Sequence, residues 1–309
     1  MKTALVGYTG FVGSNLDSSH NFDGRFISKN IQEAYGSRPD LLVYTAVPAA
    51  MFIANANPEE DFNTIKCAIE NLKKIDAKRV VLISTVAVYD RTDGVDETHI
   101  INEEKIPPYG KNRLFLEKWV LDNCEKSLVV RLPAIYGLNL KKNFIYDFIN
   151  IIPKMLNKSK FEELSSVNAI VKQNYELYSD GFYHCIHDDS KEVYEFFKNN
   201  SFNATLFTDS RSIYQFYHLE RLWNDINIAL KNDVRLLNIT TEPVSVSEVY
   251  SVLCGHSFKN ELNKIPFNYD VRSVYAGLYN GNNGYIVDKK TVLYDLKQYV
   301  DMEIEKKWG

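Results

Sequence analysis

Short, unbroken apolar runs recur along the first 140 residues. "TALVGY" (3–8), "RFIS" (25–28), "PDLLVYTAV" (39–47), "KRVVLIST" (78–85) and "KSLVVRL" (126–132) each predict a strand. These runs are continuous rather than alternating, as expected of parallel strands covered on both faces. Helical periodicity fills the gaps. "EEDFNTIKCAIENLKKI" (59–75) sets Phe62, Ile65, Ile69 and Leu72 on one face, and "NRLFLEKWVLDN" (112–123) groups Leu116, Trp119 and Val120. Between Ser28 and Leu41 there is room for only one small helix, at "IQEAYG", so a strand–helix–strand element is trimmed. Beyond residue 140 the texture changes. Residues 143–235 read as mostly helical and rich in Tyr, Phe and Asn, with Asp189 and Glu192 as a capping box. "RLLNITT" (235–241) predicts one more strand, and Ser245 with Glu248 forms a second capping box. The pattern predicts an α/β fold. A Rossmann-type doubly wound parallel sheet covers 1–150, the strand near 235–240 returns to it, and a smaller, partly interleaved α/β domain covers 151–309.

Composition narrows the partners. The chain carries 36 basic and 40 acidic residues with no basic block, which gives nucleic acid no electrostatic footprint. No apolar run approaches the length of a membrane span. "MKTALVGYTG" reads as a strand running into a turn, not a signal peptide, and Cys67, Cys124, Cys185 and Cys254 are widely spaced. Reduced thiols in a cytoplasmic protein are the expectation, and the glycosylation matches at Asn203 and Asn238 are then chance.

Candidate chemistry begins at "VGYTGFVGSNL" (6–16), where Gly7, Gly10 and Gly13 stand between a strand and a helix. Glycine allows the tight turn, the close approach of a pyrophosphate and the close packing of the helix whose N–H groups face that anion. A dinucleotide is therefore the expected ligand. The second strand ends "FISKN", with Ser28 and Lys29 where an acid would bind the ribose of NAD. That leans toward NADP, with a solvated surface lysine as the alternative.

These pieces stand in an order that resembles the extended short-chain dehydrogenase/reductases of the nucleotide-sugar epimerase/dehydratase type. They are "GYTGFVG" (7–13), "PDLLVYTA" (39–46), Asn63, "LISTVAVYD" (82–90), "YGKNR" (109–113), "VVRLPAIYG" (129–137) and "NITTEPVSVSEV" (238–249). The resemblance implies an NAD- or NADP-binding enzyme with Thr85 and Tyr109 as catalytic residues. It also implies Arg113 where the family has lysine. Gly7, Thr9, Gly10, Phe11, Val12, Gly13, Ser28, Lys29, Ala46, Asn63, Tyr109 and Arg113 would bind the cofactor. A phenol is a poor base at neutral pH and needs a cation, which a helix supplies from four residues on. Thr85 would hydrogen-bond the reacting oxygen. Guanidinium is planar and larger than ammonium, so the exchange at 113 is not conservative.

Val86 and Ala87 follow Thr85, where the family's 4,6-dehydratases carry an acid, and no cysteine stands near this strand as in its epimerase-reductases. What remains is a nucleotide-sugar 4-epimerase or 4-ketoreductase. The alternatives are a protein that binds NAD(P) without catalysis, and a reductase of non-sugar carbonyls. Asn143 and Arg272 are the candidate substrate ligands, and Arg211 lies near a family arginine position. Tyr175, Tyr178 and Tyr183 could stack a base or fill the core, and "HCIHDD" (184–189) is not expected to hold a metal. A homodimer through a helix bundle is expected by analogy alone.

Overall fold

The computed structural model describes residues 1–309 and divides the chain into two compact units. The first comprises 1–139, 214–244 and 268–292, and the second 140–213, 245–267 and 293–309. The division is thus interleaved, with the first break after Asn139, whereas the sequence expectation ran the first domain to 150 and returned only the strand near 235–240 to it.

The first unit is built on a six-stranded sheet. Its strands are β1 (Thr3–Val6), β2 (Gly24–Phe26), β3 (Leu41–Tyr44), β4 (Val80–Thr85), a later β6 (Ser127–Leu132) and a returning strand, Leu236–Asn238. A short β5 (Asp93–Val95) lies apart from this sheet and pairs with Asp270–Val271, and β7 (Ala134–Tyr136) pairs with Phe216–His218. The spatial order is the returning strand, β6, β4, β3, β1, β2, and every pairing is parallel. Every residue of β1, β3 and β6 is buried, as their continuous apolar runs require. Helices α1 (Phe11–Ser19), α2 (Met51–Ala56), α3 (Pro58–Ile75) and α4 (Pro108–Asn123) carry the connections. Ile65, Ala68, Ile69, Leu72 and Ile75 of α3 join Leu116 and Val120 of α4 against β1, β3 and β4 in one core. The trimmed stretch between β2 and β3 is a single 3₁₀ turn, Ile31–Ala34, whose Ile31 and Ala34 enter that core.

α4 departs from its simple amphipathic reading. Its buried face holds Tyr109, Gly110, Leu114, Leu116 and Val120, but also Arg113 and Glu117. Two charges on a buried face need partners from elsewhere in the chain.

The second unit contains the three-stranded antiparallel sheet of Met155–Leu156, Tyr183–Cys185 and Tyr175–Leu177 among its helices. Strands of two or three residues carry no readable alternation, which is why this stretch reads as helical in sequence. The helix Lys191–Lys198 is capped by Ser190, whose hydroxyl accepts from Val193 N at 3.4 Å, so the cap falls one residue after Asp189. The Ser245–Glu248 capping box is present in full.

Candidate active site

The glycine loop is shaped by close approach. Gly7 sits at φ +92°, and Gly13 lies so near Gly7 that a Cβ there would collide with the Gly7 carbonyl oxygen. The Thr45 hydroxyl donates to Val6 O (2.9 Å) and Gly7 O (3.2 Å), tying the end of β3 to the loop. α1 begins at an exposed Gly10 with no side-chain cap. A helix start left open beside a cradle that tolerates no side chain fits the pyrophosphate of a dinucleotide. Asn15, buried one turn on, accepts from Leu138 N and donates to Leu138 O (both 2.9 Å), fixing the loop after β7 against α1.

Thr85 ends β4, and its hydroxyl accepts from Ala87 N at 3.1 Å, starting the 3₁₀ turn Val86–Val88. Tyr109 opens α4 after Pro107 and Pro108. Its N–H donates to Asn55 Oδ1 of α2 (2.9 Å), a cap that the prolines cannot provide. Gly110 follows because a Cβ there would strike Ala87 O. That close approach lets the first turn of α4 settle against the residues after Thr85, and Thr85 favours ionisation of the Tyr109 phenol.

Arg113 lies over the Tyr109 ring, with Cζ 4.0 Å from its centroid. Its Nη1 is paired with Asp61 Oδ2 of α3, and its Nη2 donates to Pro48 O at 2.5 Å. Asn112 also donates to Asp61 Oδ2, at 2.8 Å. The ion pair is buried, with side chains 5% and 6% exposed. Burial pushes the Tyr109 phenol above the usual tyrosine range; Arg113 opposes that shift and Asp61 reinforces it. At neutral pH the phenol is therefore protonated.

One helical turn further, Glu117 is only 1% exposed and receives Arg131 of β6 through Nε (3.0 Å) and Nη2 (2.6 Å). Ser84 donates to its other oxygen at 2.5 Å. Arg131 in turn lies over the ring of Tyr89, with Cζ 4.8 Å from the centroid.

Asp61, Glu117, Asn55 and Gly110 were not singled out in the sequence. A signal existed for Asp61, which lies on the stripe of α3 that continues through Ile65 and Ile69. An acid on an apolar stripe calls for a partner.

The other sequence candidates are scattered. Ser28 and Lys29 are exposed in a turn closed by Asn30, which accepts from Ile27 N at 2.8 Å. Ala46 is exposed just beyond β3, where its backbone lies beside Gly7. Asn63 is exposed on α3 and accepts from Lys66 Nζ at 3.4 Å. Asn143, in the second unit, caps the helix Phe144–Asn150 by accepting from Tyr146 N at 3.1 Å. Arg272, in the first unit, is paired with Asp270 at 2.9 Å. Arg211, in the second unit, is paired with Asp209 at 2.7 Å. Tyr175 is buried and donates to Pro153 O at 2.5 Å, Tyr183 stacks on Phe161 at 3.7 Å, and Tyr178 stacks on His184 at 4.4 Å.

A parallel Rossmann-type sheet, a glycine cradle at the first strand–helix turn and a Thr–Tyr pair beyond the fourth strand define an extended short-chain dehydrogenase/reductase. The family is more specific. Residues 1–198 match the RmlD substrate-binding domain, and the chain belongs to that family. No curated protein matches the chain.

Solved structures align over nearly its whole length. A dTDP-4-dehydrorhamnose reductase from Bacillus anthracis, in complex with NADP, is 16% identical with a TM-score of 0.64, covering 98% of this chain and 99% of its own. A UDP-glucose 4-epimerase from Thermotoga maritima, solved with UDP-glucose, is 15% identical with a TM-score of 0.63 and 99% of each chain covered. RMD from Pseudomonas aeruginosa, complexed with NADPH, is 15% identical with a TM-score of 0.59, covering 99% of this chain and 100% of its own. At such identities these likenesses speak to the fold. No helix of the chain is long and apolar enough to cross a membrane.

Proposed function

We propose that the chain is a nicotinamide-dependent oxidoreductase of nucleotide sugars, acting at a sugar 4-position as a ketoreductase. The carrying observation is Tyr109, a phenol overlain by Arg113 and held protonated by burial, with Thr85 ending β4 beside the first turn of its helix. Gly7, Gly10 and Gly13 and the open start of α1 would hold the dinucleotide's pyrophosphate, with Thr9, Phe11, Val12 and Ala46 around it. Lys29, exposed at the end of β2, favours NADP(H) over NAD(H). The chemistry such a cofactor supplies is a hydride for the ketone carbon.

The chain's own part is the proton. As the ketone becomes a carbinol, its oxygen takes the phenolic proton of Tyr109. The Thr85 hydroxyl holds that oxygen in line, and the guanidinium over the ring stabilises the phenolate that is left until solvent reprotonates it. A 4-epimerase would use the same residues in both directions. Reduction is the better fit because the resting phenol is an acid, not a base.

The test is a panel of UDP-, dTDP- and GDP-4-keto sugars with NADPH or NADH, read by loss of nicotinamide absorbance, alongside the parent 4-hydroxy sugars read for epimer formation. Consumption of NADPH on a 4-keto sugar nucleotide, abolished in Tyr109→Phe, is expected. Epimer formation without net consumption makes the protein an epimerase. Dinucleotide binding with no turnover on any sugar nucleotide overturns the reading.

A further inference from the structure

We propose that Asp61 is a positioning residue of this site: its carboxylate anchors the Arg113 guanidinium over the Tyr109 ring, so that an Arg–Asp pair does the work usually left to a lone lysine. This rests on the reading of Tyr109 as the proton donor. The geometry has three parts. Arg113 meets Asp61 through Nη1 and the Pro48 carbonyl through Nη2, while its Cζ lies over the ring, 4.0 Å from the centroid. A planar fork with several donors can satisfy both acceptors and still stack, whereas a compact ammonium cannot. Asn112 donates to the same Asp61 oxygen at 2.8 Å, so the carboxylate is itself fixed from α4.

The pair has an electrostatic consequence. A lone cation against a buried phenol favours the phenolate, while a paired one does so less. Asp61 opposes ionisation of Tyr109, in the direction opposite to Arg113. The other charges packed near α4 are exposed or paired: Glu59, Glu60 and Lys66 of α3 are exposed, α2 and the turn Val86–Val88 have no titratable residue, and Thr85 is uncharged. Arg131 of β6 and Glu117 of α4 are bound to each other. Asp61 therefore keeps the site supplied with a proton to give, and ties the arginine at 113 to the acid at 61 as one unit.

The test is an absorbance titration of tyrosinate in the free protein, each variant read against the same variant carrying Tyr109→Phe, so that the difference reports Tyr109 alone. Asp61→Asn is expected to lower the pH of Tyr109 ionisation by about one unit, a tenfold change in its ionisation constant. The alkaline limb of ketone reduction should move down by the same amount, and Asp61→Glu should restore both. An unshifted titration in folded Asp61→Asn overturns the proposal, even if its turnover falls. If Asp61→Asn does not fold, Arg113→Met and Arg113→Met/Asp61→Asn carry the test. The single variant should ionise Tyr109 at the higher pH because a bare carboxylate faces the phenol, and equal titrations overturn the proposal. The titration needs no substrate, so failure on the sugar panel with a shifted phenol removes the assigned reaction and leaves the role of Asp61 standing.

Discussion

The first unit contains the same motif twice. Arg113 lies on the ring of Tyr109 and meets Asp61; Arg131 lies on the ring of Tyr89 and meets Glu117. Both carboxylates and both guanidinium groups are buried, and burial pushes both phenols above the usual tyrosine range. The phenols differ in where the hydroxyl goes. Tyr89 donates to the Asp96 carbonyl (2.8 Å) and accepts from the Asn238 amide (2.8 Å), so its proton is committed to a backbone acceptor. Tyr109 has the Thr85 hydroxyl and the neighbouring guanidinium, with no backbone acceptor for its proton. One cluster is saturated and closes the region around the returning strand; the other keeps a proton it can release. Under the proposed function, a tyrosine, an arginine and an acid would thus serve structure in one cluster and chemistry in the other according to one hydrogen bond.

The strongest test of this contrast exchanges each phenol for phenylalanine. Tyr109→Phe should lower kcat for ketone reduction by about 10²–10⁴-fold, the usual worth of a general acid, while thermal unfolding changes little. Tyr89→Phe should do the reverse. Leaving the Asn238 amide short of a partner should cost roughly 1–3 kcal/mol in urea unfolding, with kcat close to that of the parent. The pH profile sharpens the point. An acid works only while protonated, and the phenol of Tyr109 is shifted upward. Reduction should therefore run level through neutrality and fall only as pH rises past the usual tyrosine value of about 10. Tyr89→Phe should leave that limb in place. Equal loss of turnover in the two variants would break the distinction.

A loss of stability alone is expected from Glu117→Gln, read by urea unfolding. It removes one partner of a buried pair and leaves Arg131 uncompensated, at a cost of roughly 3–5 kcal/mol. The loss should fall on stability, with the pH of the alkaline limb unchanged. A shift of that limb would mean that the two arginines act on one phenol, and the two clusters would have to be treated as one.

The sequence reveals these clusters unequally. Strands β1, β3, β4 and β6 are legible because buried parallel strands are unbroken apolar runs, and the glycine loop because a turn that tolerates no Cβ leaves its mark in residue type. Thr85, Tyr109 and Arg113 are legible through their order and the i, i+4 spacing of the last two. Asp61 is only half legible: its place on the apolar stripe of α3 calls for a partner, but it stands beside Glu59 and Glu60 in the first turn, where acids complement the helix dipole and need no other reason. Its partner lies 52 residues away, and no local rule reaches so far. Glu117 is hidden too, beside Lys118 where a surface ion pair would explain it, although it continues the line Tyr109–Arg113 by one more turn. Gly110 reads as a helix breaker, and only the nearness of Ala87 O shows that it is needed. The short strands of the second unit escape because two or three residues hold no period.

A last predicted effect lies where the two clusters come nearest in sequence. Ser84 and Thr85 are neighbours on β4, yet Ser84 bonds to Glu117 while Thr85 acts on the Tyr109 phenol. Adjacent residues of a strand point to opposite sides, so one strand end can feed two networks without joining them. Ser84→Ala removes one hydrogen bond to a carboxylate that keeps its arginine. It should lower stability by roughly 1.5–3 kcal/mol at unchanged urea m-value, with kcat/KM preserved. Thr85→Ala should leave stability nearly intact and lower kcat instead. If Ser84→Ala slows turnover as much as Thr85→Ala does, the proton held by Tyr109 is governed through Glu117 as well, and the separation drawn between the two phenols fails at its narrowest point.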